Sequence, residues 1–253
     1  DAFWVWFLLR LISGTAVAVT FVLSEFWIAA AAPQARRGLV MGIYATSLSV
    51  GLALGPAVLV VTGTEGILPF LAGAGVIGFA AVPVLVARVS SPTIDGHARG
   101  AFARFLVLAP AATAAALVVG LAESGSFALL PVYGSRLGHP AETVILFAAA
   151  MTLGNVALQI PLGMLSDRVD RRWLLFAFAL AGLAGMIALP FVADALVPTL
   201  VLLFVWGGFI GGLYTVGLAH LAQRFNGADL VAANSAFVFC YSAGALIGPA
   251  ALG

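Results

Sequence analysis

The stretch "GMLSDRVDRRWLL", Gly163 to Leu175, carries Asp167, Arg168, Asp170, Arg171 and Arg172, five charges in six consecutive residues. It interrupts a chain of 253 residues that is 63% hydrophobic and only 8% charged. A soluble domain is roughly a quarter charged and about half apolar. Uncharged runs flank the cluster at 143–166 and 173–193, and others cover 38–64, 66–87, 105–122, 195–223 and 230–253. Each reaches the ~18–20 residues that a helix needs to cross a bilayer core. Transmembrane barrels instead use short alternating segments. The expected class is an all-α polytopic membrane protein, with the charged stretch as a tight turn between two spans.

Eight spans are expected, at about 3–29, 38–61, 67–88, 104–130, 142–164, 173–193, 198–222 and 229–252. All eleven basic residues are arginine. Nine of them (36, 37, 88, 99, 104, 168, 171, 172 and 224) fall on or beside alternate loops of one side, whereas the opposite loops carry only Arg136. The positive-inside rule makes the nine-arginine side cytoplasmic. The longest loop contains SSPTIDGHARG, a linker-like tract. "GLALGPAVL" at 51–59 returns as "GALIGPAAL" at 244–252, an offset of 193 residues. Internal repeats of this kind mark secondary transporters built from two related halves. The chain begins and ends within helix-like sequence, so a longer protein is expected around it.

Other classes find no support. Without lysine there is no Walker A motif and no Schiff base, and no H-E-x-x-H occurs. The single Cys240 allows neither a disulfide framework nor a cysteine metal site. No enzyme activity, cofactor, metal or nucleic-acid partner is expected.

These residues resemble the major facilitator superfamily, a family of transporters with twelve helices in two six-helix bundles. Gly163, Leu165, Asp167, Arg168, Arg171 and Arg172 match its motif A, G-x-L-x-D-R-x-G-R-R, with Asp170 in place of the second glycine. The segment RLISGTAVA at 10–18 resembles motif B of helix four, and GLALGP at 51–56 resembles motif C of helix five, the antiporter motif. A closer resemblance, to the uncharacterised YcaD-like branch, lies in SEFW at 24–27, ALLPVYGSRLG at 128–138, LQIPLGMLSDRVDRR at 158–172 and LYTVGLAH at 213–220. The resemblance implies a partial major facilitator fold, helices four to eleven of twelve. Residues 1–88 would end the first bundle, 89–103 form a cytoplasmic linker, and 104–253 belong to the second bundle, its last helix missing.

Spans 67–88 and 173–193 lack charged, amide, hydroxyl and imidazole side chains, as suits helices surrounded by lipid and apolar neighbours. The first span holds Arg10 and Glu25, the fourth Glu123, and the seventh Tyr214 and His220. A membrane carboxylate is costly unless neutral or paired, so Glu25 and Glu123 are candidates for carrying protons or touching substrate. Hydrogen bonding to a neighbouring helix is the plainer alternative. Arg10 lies about 22 Å from Glu25 along an ideal helix, too far for an intrahelical pair. It either serves coupling, as motif B implies, or snorkels to the outer surface. Thr152, Asn155 and Gln159 share one helix face and either hold substrate or bond helices together. His220 is expected to be a satisfied interfacial histidine sooner than a proton relay.

Gly51, Gly55, Gly244 and Gly248, with Pro56 and Pro249, follow a small-xxx-small spacing that permits close helix packing. Asp167 is expected to sit at the positive N-terminus of the second span, near Arg36 and Gly38, as a gate. The function implied is proton-coupled export of a small organic solute by a monomer in a bacterial-type inner membrane, by rocker-switch alternating access. An uptake symporter for a sugar or metabolite, and a membrane sensor or scaffold, remain the alternatives.

Overall fold

A computed structural model describes residues 3–63, 65–86 and 103–253. These fold into α1 (Phe3–Ala31), α2 (Arg37–Thr62), α3 (Leu68–Val86), α4 (Ala103–Leu108), α5 (Pro110–Arg136), α6 (Ala141–Ser166), α7 (Arg171–Val192), α8 (Leu196–Arg224) and α9 (Gly227–Leu252), with no strand among the described residues. Among the described residues seven helices are long and apolar enough to cross a membrane. The 19-residue apolar α3 occupies the third expected span. In lipid every backbone polar group must be satisfied within the chain, and helices of this length do that. The expected boundary at 89–103 falls almost wholly outside the described residues.

One expected span needs correction. The fourth does not run unbroken from residue 104. It breaks at Ala109 (φ −129°, ψ 54°), and α5 begins at Pro110 in its first turn. Proline has no N–H to donate, so it suits a helix start, and the residue before it is pushed out of the helical region. The same helix continues through Pro131 to Arg136, six residues beyond the expected end.

The strongest packing joins α5 to α9 and α6 to α8, both through glycine. A Cβ at Gly120 would lie 2.0 Å from the Tyr241 carbonyl oxygen, and one at Gly207 would lie 2.1 Å from that of Met151. Without hydrophobic drive between helices in lipid, such close backbone approach supplies the packing. α7 packs on α8 and α3 touches α2; apart from Arg171 and Arg172 at the start of α7, neither helix carries a charged, amide, hydroxyl or imidazole side chain. The repeat also reaches further than its quoted motif. Adding the 193-residue offset to the bounds of α1 gives the bounds of α8.

Candidate functional site

α2 and α6 cross at the arginine-rich end in glycine-driven contact. A Cβ at Gly38 would meet the Gly163 carbonyl oxygen at 2.2 Å, and one at Gly42 would meet that of Gln159 at 2.6 Å. The crossing brings Asp167, which follows α6, onto the first turn of α2. Gly38 N–H donates to Asp167 Oδ1 at 2.7 Å and Leu39 N–H to Oδ2 at 2.9 Å. These are orphan donors of a helix N-terminus, where a carboxylate is favoured. Arg171 completes the arrangement with an ion pair to Oδ1 at 2.8 Å and a hydrogen bond to Gln223 Oε1 at 2.9 Å. Arg37 donates to the Ala222 carbonyl, tying α2 to α8.

Asp170, the departure from motif A, has a local task. Its side chain accepts the Arg172 N–H at 2.8 Å and caps α7, as aspartate does well and glycine cannot through a side chain. Arg168 and Arg172 line a polar pocket of about 620 Å³ at this end.

Above the crossing, Thr46 donates to the Val156 carbonyl at 3.3 Å. Further along α2, Ser49 and Leu52 turn toward a cleft between α1 and α2 on one side and α5, α6, α8 and α9 on the other. Its two adjoining compartments, about 270 and 280 Å³, share Glu123, Asn155 and Tyr241 in their walls. Asn155 donates to Glu123 Oε1 at 3.0 Å, and Tyr241 donates to Oε2 at 3.2 Å. Behind Asn155 the chain continues inward, with Gln159 donating to Asn155 Oδ1 and Thr215 to Gln159 Oε1. Gly211 makes room for both amides, since a Cβ there would lie 2.0 Å from Gln159 Nε2.

Glu25 forms a second, drier cluster. It is 1% exposed and lines neither compartment. Tyr214 donates to Oε1 at 2.5 Å and Tyr44 to the same oxygen at 3.4 Å, while Oε2 has no hydrogen-bond partner among the described residues. Tyr214 also lines the cleft and stands edge-to-face with Tyr241, ring centres 5.5 Å apart. The two carboxyl groups thus lie on either side of a tyrosine pair.

The remaining sequence candidates divide. Arg10 is exposed on this chain, lines neither compartment and meets neither carboxylate. Ser13, Thr15, Thr20 and Ser24, also on α1, bond carbonyls of their own helix. His220 is not the satisfied histidine expected. It is 4% exposed, neither ring nitrogen has a partner among the described residues, and it lines the arginine-rich pocket instead of the Glu123 cleft. Gly244 and Gly248 do pack tightly, onto the Leu117 and Leu121 carbonyl oxygens at 2.1 and 2.4 Å from their notional Cβ atoms. Gly51 and Gly55 have nothing within 4 Å among the described residues, so the matching motif makes no such seam here. Pro249 lies within α9. The side chain of Pro56 lies outside the described residues. Tyr44, Tyr241 and Gln223 escaped the sequence reading because isolated tyrosine and glutamine carry no local signal. The repeated motif could have directed attention to Tyr241, three residues before Gly244.

No group of three or more potential metal ligands occurs among the described residues. The described residues thus form a multi-pass helical scaffold with a largely apolar cleft that holds a carboxyl in its wall and an acidic clamp at one end. The family model of the Major Facilitator Superfamily matches residues 1–249, and the chain belongs to that superfamily. Among its relatives is the protein named uncharacterized MFS-type transporter YfkF of Bacillus subtilis, 28% identical over 261 residues, a match covering 99% of this chain and 65% of the relative. The uncharacterized MFS-type transporter YcaD of Escherichia coli is 26% identical over 251 residues, covering 98% of this chain and 64% of that protein. The chain therefore spans about 65% of the length of the curated relatives it matches.

Proposed function

We propose that the protein is a secondary active transporter, exporting a small organic solute across a bacterial-type cytoplasmic membrane in exchange for protons. Residues 1–88 and 104–253 act as two bundles that rock about the cleft, and 89–103 link them. Family membership and relatives named as transporters support the transport reading. The observation that carries coupling is Glu123, a carboxyl in the shared wall of a cleft between the halves, held by Asn155 and Tyr241. A group so placed can meet both solute and proton, and a proton spares it the cost of an unpaired charge. Glu25, behind Tyr214, is the second candidate proton site.

Asp167 serves as the latch. Its bonds to the first turn of α2 hold the arginine-rich end closed, and releasing them lets the halves part there. The export direction rests on the motif C resemblance at 51–56. In proteoliposomes an imposed pH gradient is expected to drive solute accumulation, and the sign of the effective gradient gives the direction. Glu123→Gln is expected to abolish gradient-driven flux. Unchanged coupling in that variant would refute Glu123 as the proton site.

A further inference from the structure

The polar pocket of about 620 Å³ at the arginine-rich end is built from segments far apart in the chain. Arg168 and Arg172 come from the turn after α6 and the start of α7, His220 and Arg224 from the end of α8, and Gln34 from the segment before α2. It shares no lining residue with either compartment of the Glu123 cleft.

Its charges do not balance. Four arginines line it against two aspartates. Asp167 is engaged by Arg171 and the first turn of α2, and Asp170 accepts the Arg172 N–H. The side chains of Arg168, Arg172 and Arg224 are exposed and form no hydrogen bond or ion pair among the described residues. Arg224 stands over the Phe225 ring, 5.9 Å from its centre.

Exposed arginines by themselves make a solvated surface. The wall behind them adds a second observation. His220 is 4% exposed, and neither Nδ1 nor Nε2 has a partner among the described residues. Arg171 is also buried, and its Nε is likewise without a partner there. A neutral imidazole carries one N–H donor, and Arg171 Nε–H is another. Buried donors left unpaired are penalised. What these groups lack is an acceptor, and the arginines around them favour one with negative charge.

We propose that this pocket binds a phosphate group, with Arg168, Arg172 and Arg224 on its oxygens and His220 donating from the wall. Guanidinium forks match phosphate oxygens two at a time, and several arginines share one phosphate more readily than one carboxylate, which has only two oxygens. A soluble phosphate and the headgroup of an anionic lipid offer the same chemistry at a membrane surface. The occupant ties the α8 end to Gln34, ahead of α2, and so reinforces the α2–α6 crossing from outside. The site is separate from the cleft and stands independently of the transport reading.

The test uses purified full-length protein in phosphatidylcholine nanodiscs, with pyrophosphate as the soluble probe. Ionic strength is fixed at about 0.15 M, where exposed charges are screened beyond about 8 Å. Calorimetric titration is expected to show saturable one-site binding. His220→Leu is expected to weaken it about tenfold or more, as loss of one hydrogen bond to a charged group does. His220→Gln, which keeps a donor, is expected to retain binding. Arg172→Gln and Arg224→Gln, at exposed positions, are each expected to weaken it about tenfold, and they keep the test decisive if His220→Leu fails to fold. Arg136→Gln, at the opposite end, is expected to change nothing. A second arm places the protein in phosphatidylglycerol nanodiscs without soluble phosphate. A rise in Tm there that His220→Leu or Arg172→Gln removes assigns the site to a lipid headgroup. Pyrophosphate binding without that rise assigns it to a soluble phosphate. Binding within twofold of the parent in His220→Leu, or in both arginine variants, overturns the proposal, because a diffuse basic surface does not depend on a neutral buried side chain. Absence of both saturable pyrophosphate binding and the lipid effect overturns it too.

Discussion

Replacing Asp167 by asparagine changes one atom at the place where α6 meets α2. Three donors converge on this side chain, which is 10% exposed: the Gly38 and Leu39 N–H groups and Arg171 Nη2. Asparagine keeps one oxygen but presents an NH₂ group to a donor, so one contact is lost and the others lose their ionic character. A hydrogen bond to a charged group contributes about 1.5–3 kcal/mol. A charge at a partly buried helix terminus contributes up to ~2 kcal/mol. These terms overlap on the same atoms, so about 2–3 kcal/mol is the expected loss to the latched arrangement. In the proposed open state residue 167 would be solvated, and the substitution would cost little. The equilibrium should therefore move roughly 30- to 150-fold toward opening at the arginine-rich end, at 1.4 kcal/mol per decade.

Thiol labelling from each side of the membrane reads this out. Cys240, the one cysteine of these 253 residues, is first replaced by serine, together with any other cysteine of the full-length protein. Met41→Cys, at a site with no exposure beneath the crossing, is expected to gain reactivity from the arginine-rich side in the Asp167→Asn background. Ser49→Cys, in the cleft wall, is expected to lose reactivity from the other side. Gly38→Ala is expected to give the same pattern without altering charge, because its Cβ would meet Ser166 Oγ at 2.1 Å. Labelling at both positions within twofold of the parent refutes the latch and leaves Asp167 a purely local role.

Other expectations concern stability and are read as thermal unfolding of the purified protein. Gly207→Ala places a methyl group 2.1 Å from the Met151 carbonyl oxygen, and overpacking of this kind costs about 1–3 kcal/mol, so a lowered Tm is expected. Asp170→Ala removes the α7 cap and should cost about 1 kcal/mol. His220→Leu is expected to preserve transport and to leave Tm unchanged or raised, because a buried histidine without partners carries a desolvation penalty of about 1–3 kcal/mol. Loss of transport in that variant, with Tm maintained, would assign His220 a part in coupling.

The spans were legible because crossing a bilayer is a property of about twenty consecutive residues, and composition alone reports it. The two errors in span four arose at proline. Pro110 started a helix that apolar composition had begun earlier, and Pro131 was accommodated inside one. The proximity of Asp167 and Gly38 was legible through motif A, whose loop is short and stereotyped. Asp170 was not, because a one-residue change in a loop shows its use only once the cap geometry is present.

The cleft illustrates the opposite case. Glu25 and Glu123 looked equivalent as membrane carboxylates, yet one is enclosed behind Tyr214 and the other stands in the cleft wall. The residues that make the difference, Tyr44, Tyr214 and Tyr241, come from three helices, and no local spacing links them to their partners. The glycine repeats show the same limit from within one sequence pattern. Gly244 and Gly248 meet α5 backbone, whereas Gly51 and Gly55 meet nothing among the described residues. Small residues four apart determine a face that can be approached closely, but which backbone approaches is decided by packing between distant segments. Sequence by itself thus determined the spans and the place of the charge, since desolvation of a helix is local. Tertiary structure decided which carboxyl meets the cleft, since that depends on helices far apart in the chain.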